Sequence, residues 1–141
     1  MFNVSDCVFS KHSDETYGSL TAVECGKEIP FDVKRVYYIY DAPDGVRRGF
    51  HSHLNLHQIL ICVHGSVKIL TKTPYEEQIT ELSQPNQGLY IGPMIWREMY
   101  DFSEGAVLLV LASELYDESD YIRDYSNYEK IAIDFFNKGE E

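Results

Sequence analysis

Seven short runs set the character of this chain: "SLTAVEC", "VKRVYYIYD", "QILICV", "SVKILTKT", "EQITEL", "GLYIG" and "AVLLVLAS". Each has the length and the β-branched, aromatic or leucine content of a strand, and turn chemistry such as "APDG", "HGS" and "SQPNQG" separates them. No long amphipathic helical period interrupts the series. A chain built this way is expected to close its strands into an all-β sandwich or barrel, and the excess of aromatic residues, 11 Tyr and 7 Phe, favours strands further. One helix is expected at the end, where Ser126 and Glu129 form an S-x-x-E capping box ahead of "YEKIAIDFFNK". The run "ELYDESDYIRDY" is acidic and aromatic and reads as a solvated loop wrapping the strands. With 141 residues the chain has room for one proper core, so a single domain over 1–141 is expected.

The formal net charge of -11 argues against nucleic acid and anionic membranes as partners, because a phosphate backbone needs a basic footprint. A local arginine cluster is still enough for one small anionic ligand. Cys7, Cys25 and Cys62 are odd in number and share no close spacing, which suggests neither a disulfide framework nor a cysteine zinc site. Reduced thiols and a cytoplasmic home are expected. The start "MFNVSDCVFSKHSDE" lacks a basic segment followed by an apolar one, and "AVLLVLA" is too short to span a bilayer, so a chain neither secreted nor membrane-embedded is expected.

Chemistry concentrates in "GVRRGFHSHLNLHQILICVHG". In a strand, residues two apart project to one face at roughly 7 Å along the backbone, so His51 and His53 would deliver two imidazoles to one cavity. From Gly45 the spacing runs five residues to His51-x-His53, three more to His57, then seven to Gly65. That resembles the first metal motif of the cupin superfamily, whose third ligand is usually Glu. "GLYIGPMIWREM" resembles the second motif, but Arg97 stands where a histidine is usual, and a guanidinium is protonated at any ordinary pH and ligates nothing. Three imidazoles alone could hold Zn, Fe or Ni. The reading preferred is no metal, with His51 and His53 as an acid/base pair, since imidazole titrates near working pH. His57 and His64 read as bland: one opens an apolar strand and the other sits beside the turn glycine Gly65.

Several separate blocks, "YGSL", "IPFDVKRVYYIYD", "RRGFHSH", "GLYIGPMIWREMYDF" and "VLASELYDESDYIRDY", follow in order between Tyr17 and Lys130. Together they resemble the dTDP-4-keto-6-deoxyglucose 3,4-ketoisomerases, small cupins similar in fold to the dTDP-sugar 3,5-epimerases. The resemblance implies a jelly-roll β-barrel with a short C-terminal helix, a homodimer, a dTDP-sugar ligand, and a reaction needing neither metal nor organic cofactor. Relatives that make a galacto-configured product carry Arg where this chain has Tyr17 and His where it has Arg97, and an acidic residue often stands at the position of His57. The first two departures point to a gluco-configured product.

In such a reaction the ketone at carbon 4 acidifies the hydrogen on carbon 3, a base removes it, and the enediolate is reprotonated at carbon 4. A base near neutral pH and donors for the enediolate oxygen are needed. His51 and His53 fit as base and proton shuttle, in an order left open. Tyr37 is preferred as the phenol at the sugar, with Tyr38 on the opposite face of the same strand. Arg35 and Arg48 bracket the histidines and suit phosphate oxygens. Trp96 and Tyr90 offer aromatic faces to base or sugar, and Tyr17 and Arg97 complete the expected substrate-binding set. The alternatives are a 3,5-epimerase, a galacto-product ketoisomerase, and a non-catalytic sugar-sensing cupin, for which no helix-turn-helix follows the strands.

Overall fold

The structure, a computed structural model, describes residues 2–138. The outermost positions of the expected domain, 1 and 139–141, lie outside the described residues. Two five-stranded antiparallel sheets face each other. The first runs in the order β1 (Val4–Val8), β9 (Gln87–Ile91), β6 (Gln58–His64), β11 (Val107–Ala112) and β4 (Arg35–Ile39). The second runs β12 (Tyr121–Ile122), β5 (Arg48–His53), β10 (Trp96–Tyr100), β7 (Val67–Lys72) and β8 (Glu77–Leu82). This is the jelly-roll arrangement expected. A hairpin of β2 (His12–Asp14) and β3 (Gly18–Leu20) stands apart from both sheets, and α1 (Tyr125–Lys138) closes the described chain. No described helix is long and apolar enough to cross a membrane.

Side-chain alternation decides what each strand contributes. β6 is apolar on both faces because both are covered: Leu60 and Cys62 join the main core with Ile69, Leu89 and Val110, while Ile59 and Ile61 pack with Phe9 and Ile29 in a second cluster. In β4 the even positions Val36 and Tyr38 are exposed, and the odd positions Arg35, Tyr37 and Ile39 turn toward the interior. β5 carries the main irregularity. Gly49 (φ 93°) and Phe50 (φ 57°) both lie in the left-handed region, and the pairing with β10 shifts register between Arg97 and Glu98. A Cβ on Gly49 would lie 2.8 Å from the Arg97 carbonyl oxygen, so only glycine fits there. The resulting bulge turns the following residues inward, and His51, Ser52 and His53 are all buried.

Three expectations are corrected. The helix is capped by Asp124, whose Oδ2 accepts from the Asn127 N–H at 2.9 Å, and Ser126 lies inside the first turn; Asp at that position is as good a cap and starts the helix earlier. Of "SLTAVEC" only the first two residues join a strand, β3, and Cys25 forms an isolated bridge to Ile29. "ELYDESDYIRDY" is not only solvated loop, for it carries a 3-10 turn at Glu118–Asp120 and then β12, which pairs with β5 opposite His53.

Candidate active site

The bulged end of β5 brings the two histidines together as their spacing predicts. Their rings meet edge to face, centroids 4.9 Å apart and planes at 85°. Tyr121, held opposite by the β12 pairing, lies 5.1 Å from the His51 ring and 4.3 Å from that of His53. Two adjoining hollows open here and share Arg35 and Tyr121. The larger, about 590 Å³, is walled by Lys34, Arg35, His53, Asn55, Asp120 and Tyr121 among others. The smaller, about 300 Å³, holds His51, Tyr37, Arg35, Arg48 and Arg123.

The two imidazoles are held differently. His53 Nδ1 lies 3.0 Å from Asp120 Oδ2, and Asp120 Oδ1 accepts from the Asn55 N–H at 2.9 Å. A carboxylate facing Nδ1 takes a hydrogen from it, which leaves a lone pair on Nε2. That nitrogen and both nitrogens of His51 are buried without a hydrogen-bond partner in the protein. Burial first, and then the positive charge of Arg97, lowers both imidazoles, His51 to about 4 and His53 in the same direction. Both are therefore neutral near pH 7 and able to accept protons. Burial pushes the Asp120 carboxyl upward and holds the Tyr37 phenol above its ordinary value, so that phenol is a donor and not a phenolate.

Arg97 is fully buried in β10, and burial lowers it to about 10, so it stays charged. Nε and Nη2 donate to the Ile95 carbonyl oxygen at 3.3 and 3.0 Å, and Nη1 donates to Gln58 Oε1. It lines neither hollow, which differs from the direct sugar contact expected; it acts beneath the histidines through its field and through Gln58. Gln58, at the start of β6, passes the contact on by donating from Nε2 to the Tyr37 hydroxyl at 3.1 Å.

Of the remaining expected site residues, Arg35, Arg48 and Tyr37 line the hollows, and Tyr38 faces solvent on the outside. Trp96, Tyr90 and Tyr17 are not brought to the histidines. Trp96 neighbours Arg97 in β10 and turns to the other face, where its ring packs on Tyr125 and Tyr128 and its Nε1 donates to Glu98 at 2.9 Å. The Tyr90 hydroxyl meets His57 Nδ1 at 2.6 Å beside Phe31, away from the hollows. Tyr17, 91% exposed in the β2–β3 turn, lines neither. The sequence reading missed Asp120, Tyr121, Arg123 and Gln58. Gln58 carried a signal, a polar residue opening an otherwise apolar strand; the other three sat in or beside a run read as solvated.

His57 points to Tyr90 and so leaves His51 and His53 without the third member of a cupin cage. Among the described residues no three His, Cys, Asp or Glu side chains converge as metal donors.

The family model described as "FdtA: WxcM-like, C-terminal" matches residues 3–132. The chain belongs to this family. It is 48% identical over 116 residues, 82% of this chain and 84% of the relative, to the TDP-4-oxo-6-deoxy-alpha-D-glucose-3,4-oxoisomerase of Aneurinibacillus thermoaerophilus. Among solved structures, the sugar 3,4-ketoisomerase QdtA from Thermoanaerobacterium thermosaccharolyticum in complex with TDP is 56% identical with TM-score 0.93, covering 96% of this chain and 98% of that one. The H51N mutant of the same 3,4-ketoisomerase, in complex with TDP-4-keto-6-deoxyglucose, is 56% identical with TM-score 0.91, covering 94% and 95%. The resemblance to 3,4-ketoisomerases seen in the sequence blocks therefore holds, and so does the cupin fold. With relatives named 3,4-oxoisomerase and 3,4-ketoisomerase at 48% and 56% identity, the chain is an isomerase.

Proposed function

We propose that this chain converts dTDP-4-keto-6-deoxyglucose to dTDP-3-keto-6-deoxyglucose, setting the gluco configuration at carbon 4, by proton transfers through His51 and His53. The reading rests on the two neutral, buried imidazoles with unpaired nitrogens, His53 lining one of the adjoining hollows and His51 the other. A relative's H51N mutant was crystallised with TDP-4-keto-6-deoxyglucose, which supports a part for His51 in turnover, and we assign it the proton on carbon 3.

The sequence of transfers balances with both histidines starting neutral. His51 takes the carbon-3 proton, and the electron pair left behind forms the enediolate with its charge on O4. His51 then gives that proton to O4 while His53 Nε2 takes the proton of the O3 hydroxyl, the imidazolium being stabilised by Asp120. His53 returns its proton to carbon 4 as the carbonyl forms at carbon 3, and both rings are neutral again. In a gluco ring the hydrogens on carbons 3 and 4 lie on opposite faces, so the acid at carbon 4 has to be distinct from the base at carbon 3. Two imidazoles at 85° to each other suit that need. Tyr37 donates to the enediolate oxygen, and Arg35, Arg48 and Arg123 bind the diphosphate.

The protein is also proposed to be a cytoplasmic, single-domain homodimer without metal or organic cofactor. The β2–β3 hairpin is hydrogen-bonded into neither five-stranded sheet, with Tyr17 91% and Leu20 61% exposed, and the edge strand β4 exposes Val36 and Tyr38. A second copy would cover these surfaces and offer a route for Tyr17 to a neighbouring sugar pocket. A monomer by sedimentation at working concentration contradicts the dimer.

The deciding experiment is NMR of the dTDP-4-keto sugar carrying deuterium on carbon 3, incubated with the enzyme in H2O and trapped by reduction. The product is expected to carry the ketone at carbon 3 and no deuterium on carbon 4. Deuterium delivered to carbon 4 overturns the two-histidine sequence, exchange at carbon 5 points to an epimerase, and no turnover overturns the activity.

A further inference from the structure

Gln58 is 1% exposed, and its backbone is locked between Ile91 of β9 and Ala112 of β11. The direction of its amide follows from its neighbour. Arg97 has only donors, so the group facing Nη1 has to be Oε1, and the NH2 end faces Tyr37. The phenol oxygen therefore accepts from Gln58, and the hydroxyl's one hydrogen is left over. No other protein partner for that hydroxyl occurs among the described hydrogen bonds, and the Tyr37 side chain lines the hollow that contains His51.

We propose that Gln58 is a positioning residue: by donating to the Tyr37 oxygen it commits the phenol's own proton to the sugar oxygen that becomes negative. The cation of Arg97 polarises the amide, which makes the phenol a stronger donor along the same chain of bonds. Gln58 touches no substrate in this account; it acts through Tyr37. The inference rests on the proton-transfer reading above, in which Tyr37 serves the enediolate oxygen.

The test is Gln58→Glu, measured alone and in a Tyr37→Phe background. A glutamate keeps the shape and strengthens the tie to Arg97, so a residue needed only to satisfy that buried cation would tolerate it. A carboxylate has only acceptors, however, and draws the phenol proton to itself. Turnover is expected to fall on the order of 100-fold, the scale of losing one donor from an oxyanion site, with dTDP affinity little changed. In Tyr37→Phe the same change is expected to cost no more than about twofold, the scatter of additive pairs. Unchanged turnover in Gln58→Glu, or an equal loss in both backgrounds, overturns the positioning role. If Tyr37→Phe alone leaves turnover intact, the reading of Tyr37 fails instead, and this inference with it. Should Gln58→Glu not fold, Gln58→Met with Arg97→Met removes both partners and leaves no buried cation unpaired. Tyr37→Phe is then expected to cost less than in the unaltered protein, and an undiminished cost overturns the proposal.

Discussion

His53 Nδ1 and Asp120 Oδ2 stand 3.0 Å apart although 67 residues separate them in the chain. β12 makes this possible, since its pairing with β5 sets Tyr121 opposite His53 and leaves Asp120 at the ring's edge. A buried imidazole has two tautomers, and the carboxylate selects the one with a lone pair on Nε2. Asp120→Asn can present its amide NH2 to Nδ1 and invert that choice. Turnover is expected to fall on the order of 100-fold or more, as for loss of a general acid/base group, while dTDP binding survives. An Asp120→Asn enzyme with ordinary kcat would detach Asp120 from the chemistry.

The histidine variants separate the site from its surroundings. His51→Asn and His53→Asn are each expected to keep the fold and to lower turnover by about 100-fold or more. His57→Asn loses ring contacts to Tyr90 and Phe31 outside those two hollows and is expected to do far less. Steady-state kinetics with dTDP binding measured in parallel decides, and a site in which only His57 matters contradicts the assignment.

Acid should loosen this protein in a defined window. Burial, and then Arg97, holds His51 at about 4 in the folded state against 6.5 when free. The unfolded chain thus binds more protons between those values. Stability from this group is full above pH 6.5, declines as pH falls toward 4, and loses nothing more below that. A shift of this size is worth on the order of 3 kcal/mol. The urea midpoint is expected to drop across that window and to drop less in His51→Asn, and a flat midpoint contradicts the burial argument. The acid limb of kcat/KM is likewise expected below the pH of an ordinary histidine.

Chelation provides an independent check on the cupin motif. The third motif position, His57, is turned to Tyr90, and the fourth carries the cation Arg97, which also repels a metal ion. Activity is expected to survive exhaustive EDTA treatment. Loss of turnover restored by Zn, Fe or Ni would reinstate the metal reading.

What the sequence disclosed and what it hid divide along local and non-local lines. That His51 and His53 share a face, and the choice of Tyr37 over Tyr38, follow from strand alternation, which a few adjacent residues determine. Asp120 and Tyr121 reach the site through a two-residue strand pairing across the chain, and nothing in "ELYDESDYIRDY" distinguishes that from a solvated run. Trp96 offers no face to the sugar hollows because Arg97, its neighbour in β10, is the residue that faces His51 in the register. The burial of Arg97 was equally hidden, because an arginine in "WREMY" gives no sign that Gln58 and the Ile95 carbonyl will receive it.

Product configuration is the finest question the site poses. Arg97 pairs across the sheet with His51, is fully buried, and lowers both catalytic-candidate imidazoles through its charge. It releases no proton at working pH, so in the proposed sequence carbon 4 is protonated by His53, on the face opposite the base His51 for a gluco product. Arg97→His would remove that charge, let the neighbouring imidazoles rise, and place a third titratable ring across the sheet from His51. Tyr17→Arg would bring a longer, charged side chain to the hairpin tip, and in the proposed dimer that tip would reach the sugar of the other copy and change its tilt. The unaltered enzyme is therefore expected to yield the gluco 3-keto product, and Tyr17→Arg combined with Arg97→His to shift the mixture toward the galacto epimer. Because the ketone is labile, the product is trapped by reduction or by coupling to an aminotransferase, and carbon 4 is assigned from proton coupling constants. A galacto product from the unaltered protein contradicts the stereochemical argument and leaves the ketoisomerase activity untouched.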